Sequence, residues 1–235
     1  MEFIRQCPIC GSDHVDRHHG GFMVCRSCDN LFFCKNWEKN PADFYQKAVR
    51  SVFEICLTAE DKERCGTATL ISEKGCLITS AHLFRDQSEE HNRLYPLQNV
   101  TGIRRNDNGE TITAKVLRID FQTDLALLSA PSLAGISPMP FSYRKVYTGQ
   151  KICVIGNSRG EGLCMVDGLV SDSHREMDGR DLFMISALVT TGCSGGPVLD
   201  SSGSLVGMVT GGRKGEVCMN YAVSSSLLRD FCNNK

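Results

Sequence analysis

The chain has 235 residues, 41% of them hydrophobic and 23% charged, the balance of an ordinary globular protein and not of a disordered one. Its net charge of -1 excludes the strongly basic balance that would draw it to nucleic acid or to an anionic membrane surface. No apolar run reaches the roughly 18 residues of a membrane span, and MEFIRQCPIC lacks the apolar core of a signal peptide. The reading that follows is a soluble, cytoplasmic protein with neither a nucleic acid nor a membrane as partner.

In chain order, residues 1–40 are rich in Cys, His, Gly and Asp and too poor in aliphatic side chains to bury a core unaided. From Asn40 the pattern changes. Asn40 suits a helix cap and Pro41 the first helical position, and PADFYQKAVRS sets Phe44, Ala48 and Val49 on one side of a short linker helix. Short β-rich segments follow: SVFEICLT, GTATLIS, GCLITSA, ETITAKVLRI, DLALLSA, QKICVIG, GLVSD, LFMISALV, GSLVGMVT and MNYAV. Turn residues punctuate them, as in NDNGE at 106–110 and DSSGS at 200–204, and this spacing predicts a barrel or sandwich. SSSLLRDFCNN predicts a closing helix with a Ser cap and an apolar face of Leu227, Leu228 and Phe231. The predicted domains are therefore 1–40 and 41–235.

Thirteen cysteines would suggest a disulfide framework in a secreted chain, but the expected compartment argues against one. Cys7 and Cys10 (CPIC) and Cys25 and Cys28 (CRSC) are two Cys-x-x-Cys knuckles, a spacing that aims both thiolates of a pair at one tetrahedral ion. The CPxCG opening resembles the zinc ribbon family over about the first 35 residues. A structural zinc ion on Cys7, Cys10, Cys25 and Cys28 is expected, with a hairpin turning near Gly20 and Gly21 and with His14, His18 and His19 left outside the site. A closed four-thiolate site leaves no open position for catalysis. With five basic and five acidic residues in 1–40, the ribbon is a poor phosphate binder, and a protein partner is the expected role. The other nine cysteines are expected to be mostly buried thiols.

TGCSGGP, residues 191–197, lies between two apolar strands. A turn of this kind exposes the Ser194 hydroxyl while the N–H groups of Gly192 and Ser194 converge into an oxyanion hole. A serine needs an imidazole to accept its proton and a carboxylate to orient that imidazole, and LITSAHLF supplies His82 while QTDLALL supplies Asp124. Ser194 rather than Cys193 takes the nucleophile position.

TSAH, TDLALL and GCSGGP, in the order His, Asp, Ser, resemble the chymotrypsin-like serine proteases and more narrowly the HtrA family. AKVLRIDFQTDLALL, GQKICVIGNSRGEG, GLVSD, GSLVGMVTGG and MNYAVSSSLLRDF extend the resemblance over roughly 48–232. It implies an all-β fold of two six-stranded antiparallel barrels with a C-terminal helix and the site between the barrels. The implied function is a serine endopeptidase acting on polypeptides through an acyl-enzyme, with Leu188, Thr210, Gly211 and Gly212 contacting substrate. No carboxylate lies at the pocket base in this reading, so small or medium apolar side chains are expected there. Against the family pattern, a ribbon is expected at the N-terminus and a C-terminal PDZ domain is not, and the oligomeric state is left open. A regulatory or targeting role for the ribbon is expected, and the competing reading is a catalytically silent binding or adaptor protein on a protease scaffold.

Overall fold

A computed structural model describes residues 6–7, 10–17, 22–29, 31–33, 40–59, 62–85, 100–106, 108–177, 179–212 and 219–233. Its first elements are three short strands, β1 (Val15–Arg17), β2 (Phe22–Cys25) and β3 (Leu31–Phe33), paired in that order as an antiparallel sheet. His18, His19, Gly20 and Gly21 lie outside the described residues.

The helix α1 (Pro41–Ala48) begins where the sequence places it, with the Asp43 N–H donating to the Asn40 side chain at 3.2 Å. Phe44, Ala48 and Val49 are buried along its inner face. The chain then builds β4 (Val52–Ala59), β5 (Lys62–Leu70), β6 (Cys76–Ser80), β7 (Val100–Arg104), β8 (Thr111–Asp120) and β9 (Leu125–Ser129). These close into a barrel in the order β4-β5-β6-β9-β8-β7. A second closed barrel, ordered β10-β11-β12-β15-β14-β13, is formed by β10 (Lys151–Asn157), β11 (Leu163–Met177), β12 (Arg180–Ile185), β13 (Pro197–Leu199), β14 (Leu205–Gly212) and β15 (Asn220–Ser224). The helix α2 (Ser225–Asn233) ends the described chain, with the Leu227 N–H donating to Ser224 Oγ at 3.4 Å as the expected serine cap.

Two of these strands escape the sequence reading. β7 lies in VTGIR, where a central glycine at φ +101° breaks the apolar pattern; a Cβ there would stand 2.6 Å from the Cys56 carbonyl oxygen. β13 is only three residues long and follows directly on the Ser194 turn. LFMISALV is strand only as far as Ile185, after which the backbone leaves the sheet toward Ser194.

Each barrel has its own apolar filling, with Phe53, Leu77 and Leu128 in the first and Val154, Phe183 and Val198 in the second. A third cluster runs between them and includes Phe44 and Ile78, Leu125, Ile155, Met208, Leu228 and Phe231. Both helices therefore wedge against the barrel junction. The Tyr45 hydroxyl donates to the Leu163 carbonyl at 2.7 Å, and the Arg118 guanidinium lies 4.1 Å from the centre of the Phe231 ring. Of the remaining described cysteines, Cys153 and Cys193 are buried while Cys56, Cys65, Cys76, Cys164 and Cys232 are half-buried thiols.

Phe44 is 1% exposed at this junction, so Phe44→Ala is expected to lower the unfolding free energy by about 3–5 kcal/mol, read from chemical denaturation.

Candidate active site

Asp124 lies at the entry to β9 with a left-handed backbone, φ 58°, which an aspartate tolerates better than a bulky residue would. This turn directs both its carbonyl and its carboxylate back at the end of β6. The Ala81 N–H donates to the Asp124 carbonyl at 3.1 Å, and the His82 N–H donates to Asp124 Oδ1 at 2.8 Å. The imidazole is held by the same group, with Nδ1 2.9 Å from Oδ2. Because a carboxylate only accepts, Nδ1 is the donor of this bond. The Thr210 hydroxyl also donates to Asp124 Oδ2. Asp124 is 4% exposed, so these donors replace its water.

Ser194 is half-buried in the turn between β12 and β13. The first barrel holds this turn through its backbone. The Thr67 N–H donates to the Ser194 carbonyl at 2.9 Å, Thr67 Oγ1 donates to the Gly192 carbonyl at 2.8 Å, and Thr69 Oγ1 donates to the Gly195 carbonyl at 3.1 Å. Thr67 Oγ1 also accepts from the Asn157 N–H at 2.9 Å, and Thr79 Oγ1 donates to the Thr67 carbonyl at 2.6 Å. The sequence reading missed these buried threonines. Their signal is GTATL, in which two hydroxyls recur at period two on an otherwise apolar, fully buried strand and must find partners.

Gly192 has φ +96°, and a Cβ on it would lie 2.1 Å from the Asn157 carbonyl oxygen. The Thr191 carbonyl accepts from the Arg159 N–H at 2.7 Å. In a trans peptide the next N–H points the opposite way, so the Gly192 N–H is turned away from the Arg159 backbone. Among the described residues, neither the Gly192 nor the Ser194 N–H donates to another protein group. Burial raises the Cys193 thiol above its ordinary range, and its sulfur lies 3.0 Å from where a Cβ on Gly156 would stand. Cys193 is a packing residue.

The expected substrate contacts divide. Leu188 is exposed, the Thr210 hydroxyl is committed to Asp124, Gly211 faces open space, and Gly212 faces the Asn220 side chain.

Away from this cleft, Cys7, Cys10, Cys25 and Cys28 bring their sulfurs within 4.8 Å of one another, with Cys7–Cys28 and Cys10–Cys25 each at 3.6 Å. A tetrahedral zinc–thiolate site has sulfurs about 3.8 Å apart, so the four residues can hold a metal ion. Burial pushes the Cys25 thiol up, but hydrogen bonds from the Ser27 and Cys28 backbone and from the Cys10 and Cys28 side chains outweigh it and bring it down to about 6. A thiolate is thereby favoured at neutral pH.

Residues 66–208 match the model of the trypsin-like peptidase domain. The chain belongs to that family, as a domain of the DegP/HtrA type. A probable periplasmic serine endoprotease DegP-like of Brucella suis is 30% identical over 169 residues, covering 68% of this chain and 31% of that protein. The corresponding protein of Chlamydia trachomatis is 23% identical over 213 residues, covering 83% of this chain and 40% of its own length. The chain thus spans less than half the length of these curated relatives. The HtrA-type protease AlgW, solved with a tripeptide, has the same fold at a TM-score of 0.68 and 24% identity, covering 80% of this chain and 61% of that one. The double-barrel fold expected for a trypsin-like peptidase is present.

The cytoplasmic location expected from the sequence is corrected by these relatives, which are named periplasmic. That expectation rested on a feature missing from the first residues, whereas the similarity runs through the folded core.

Thr67→Val removes a buried hydroxyl that serves both the Asn157 N–H and the Gly192 carbonyl. It is expected to cost about 1–3 kcal/mol in chemical denaturation, with Thr67→Ser, which keeps the hydroxyl, costing less.

Proposed function

We propose that this trypsin-like peptidase domain is a serine endopeptidase that hydrolyses polypeptides through an acyl-enzyme, with Ser194 as nucleophile, His82 as general base and acid, and Asp124 as the group that orients His82. The observation that carries the reading is Asp124, buried and held by three donors, gripping Nδ1 of a half-exposed imidazole. In this reaction Ser194 Oγ bonds to the scissile carbonyl carbon as its proton passes to His82 Nε2. The oxygen that gains charge accepts from the Gly192 and Ser194 N–H groups, a role supported by the fixed Thr191 carbonyl. His82 then protonates the leaving amine as the carbon–nitrogen bond breaks. Water, deprotonated by His82, releases the acid and restores Ser194.

The edge of β14 supports binding of an extended substrate. Beyond Val209, whose N–H donates to the Gly196 carbonyl and whose carbonyl accepts from the Gly195 N–H, Gly211 and Gly212 pair with β15 alone among the described residues. A peptide can therefore add beside Thr210, Gly211 and Gly212 as a further strand, with Leu188 at the rim. Residues 1–40 are read as a ribbon folded around zinc on Cys7, Cys10, Cys25 and Cys28, and as a targeting or regulatory module for the domain 41–235. The thiolate geometry supports a closed structural site with no role in peptide cleavage.

A fluorophosphonate probe tests the assembled site. Wild type is expected to be labelled, Ser194→Ala not at all, and His82→Ala at a rate roughly a thousandfold or more slower. A folded wild type that stays unlabelled would refute the reading. For the ribbon, elemental analysis of the purified full chain is expected to find one zinc, removed by a strong chelator together with the protease resistance of residues 1–40. Full retention of that resistance without metal would contradict the assignment.

A further inference from the structure

Two backbone segments reach the Ser194 turn, residues 187–193 from the end of β12 and residues 209–212 of β14. One side chain joins them. Asn220, the first residue of β15, stands opposite Gly212 on one neighbouring strand and Ile185 on the other. Residues directly opposite in a sheet share a face, so the Asn220 side chain lies on the side where Gly212 bears only hydrogen. Its Nδ2 donates to the Ala187 carbonyl at 2.8 Å. A Cβ at Gly212 would lie 2.7 Å from Asn220 Oδ1, so the amide fills the space that glycine leaves.

The orientation of this amide is fixed by chemistry. The Ala187 carbonyl can only accept, which assigns nitrogen to that end and turns the oxygen toward Gly212. Among the described residues no donor reaches Oδ1, although Asn220 is only 8% exposed. Residues 185–194, 209–212 and 219–222 contain no charged side chain. Among the described residues, the two segments thus present only uncharged groups, and the Asn220 oxygen stands between them.

We propose that Asn220 is the floor of the pocket for the residue preceding the scissile bond, and that Oδ1 selects a hydroxyl-bearing β-branched side chain, threonine, over its isostere valine. The proposal rests on the serine endopeptidase reading of the same site. Two consequences are separable. The volume of Asn220 excludes aromatic side chains, and its oxygen accepts from the threonine hydroxyl. A bound valine covers this acceptor without pairing it, and that is the penalty that discriminates the two.

The test uses the full chain and three peptides that differ only in having Thr, Val or Phe before the cleavage point. Wild type is expected to favour Thr over Val by about tenfold in kcat/KM and to reject Phe. Asn220→Gly, which removes both volume and acceptor, is expected to bring the Thr/Val ratio to about one and to raise the Phe/Val ratio at least about tenfold. Asn220→Leu, which keeps the volume and loses the acceptor, is expected to favour Val over Thr while Phe stays excluded. Wild type failing to prefer Thr over Val overturns the proposal without any variant needing to fold. Binding of the same peptides to Ser194→Ala, followed by fluorescence anisotropy, separates the pocket from the chemistry. The same Thr preference in binding, with no cleavage by wild type, would overturn the endopeptidase reading and leave Asn220 in place as the floor. Equal binding of Thr and Val would overturn the floor.

Discussion

A buried hydroxyl must be paired, and in this protein that rule joins the two barrels. Thr67, Thr69 and Thr79 are fully buried on strands of the first barrel, where water cannot serve them. Thr67 and Thr69 donate to the carbonyls of Gly192 and Gly195, on either side of Ser194 in the second barrel. The Ser80 hydroxyl reaches Val209 in the same way, at 3.2 Å. Apolar contact between the barrels holds them together without fixing how one is set against the other. These directional bonds set the position of the Ser194 backbone against the strand end that carries His82, and the geometry of the cleft follows.

The carboxylate obeys the same constraint from the other side. Asp124 is buried, and its oxygens are taken by the His82 backbone and ring and by the Thr210 hydroxyl. The first two donors belong to the first barrel and the third to the second, so the orientation of the imbedded carboxylate also depends on the two barrels being in register. A carboxyl group so held exchanges water for partners that are already in place, and its hydrogen bond to Nδ1 fixes how the His82 ring is turned.

Much of this was legible in the sequence because the chemistry sits in short words at strand ends. TSAH places His82 just beyond an apolar strand, QTDLALL and GCSGGP place Asp124 and Ser194 just before one, and the capped start at Asn40 and Pro41 is equally local. The double barrel followed from resemblance more than from periodicity, since most of its strands are buried and lack a clean alternation. What stayed hidden was long-range. Nothing near Thr210 in sequence shows that its hydroxyl belongs to Asp124, 86 residues away, so it was read only as a backbone contact for substrate. Asn220 and Thr67 acquire meaning only through register, opposite Gly212 in one case and against the Gly192 carbonyl in the other. The short strand β7 was lost to the glycine at its centre.

Gly195 has φ +88°, and a Cβ on it would stand 2.0 Å from the Thr67 carbonyl oxygen and 2.3 Å from Thr79 Oγ1. The residue next to Ser194 is therefore limited in size by the backbone of a different barrel, more than a hundred positions earlier in the chain. A larger side chain at position 195 would have to displace the Thr67 carbonyl or the Thr79 hydroxyl, so the turn that carries Ser194 and the first barrel's inner strands form one steric unit despite the two separate cores.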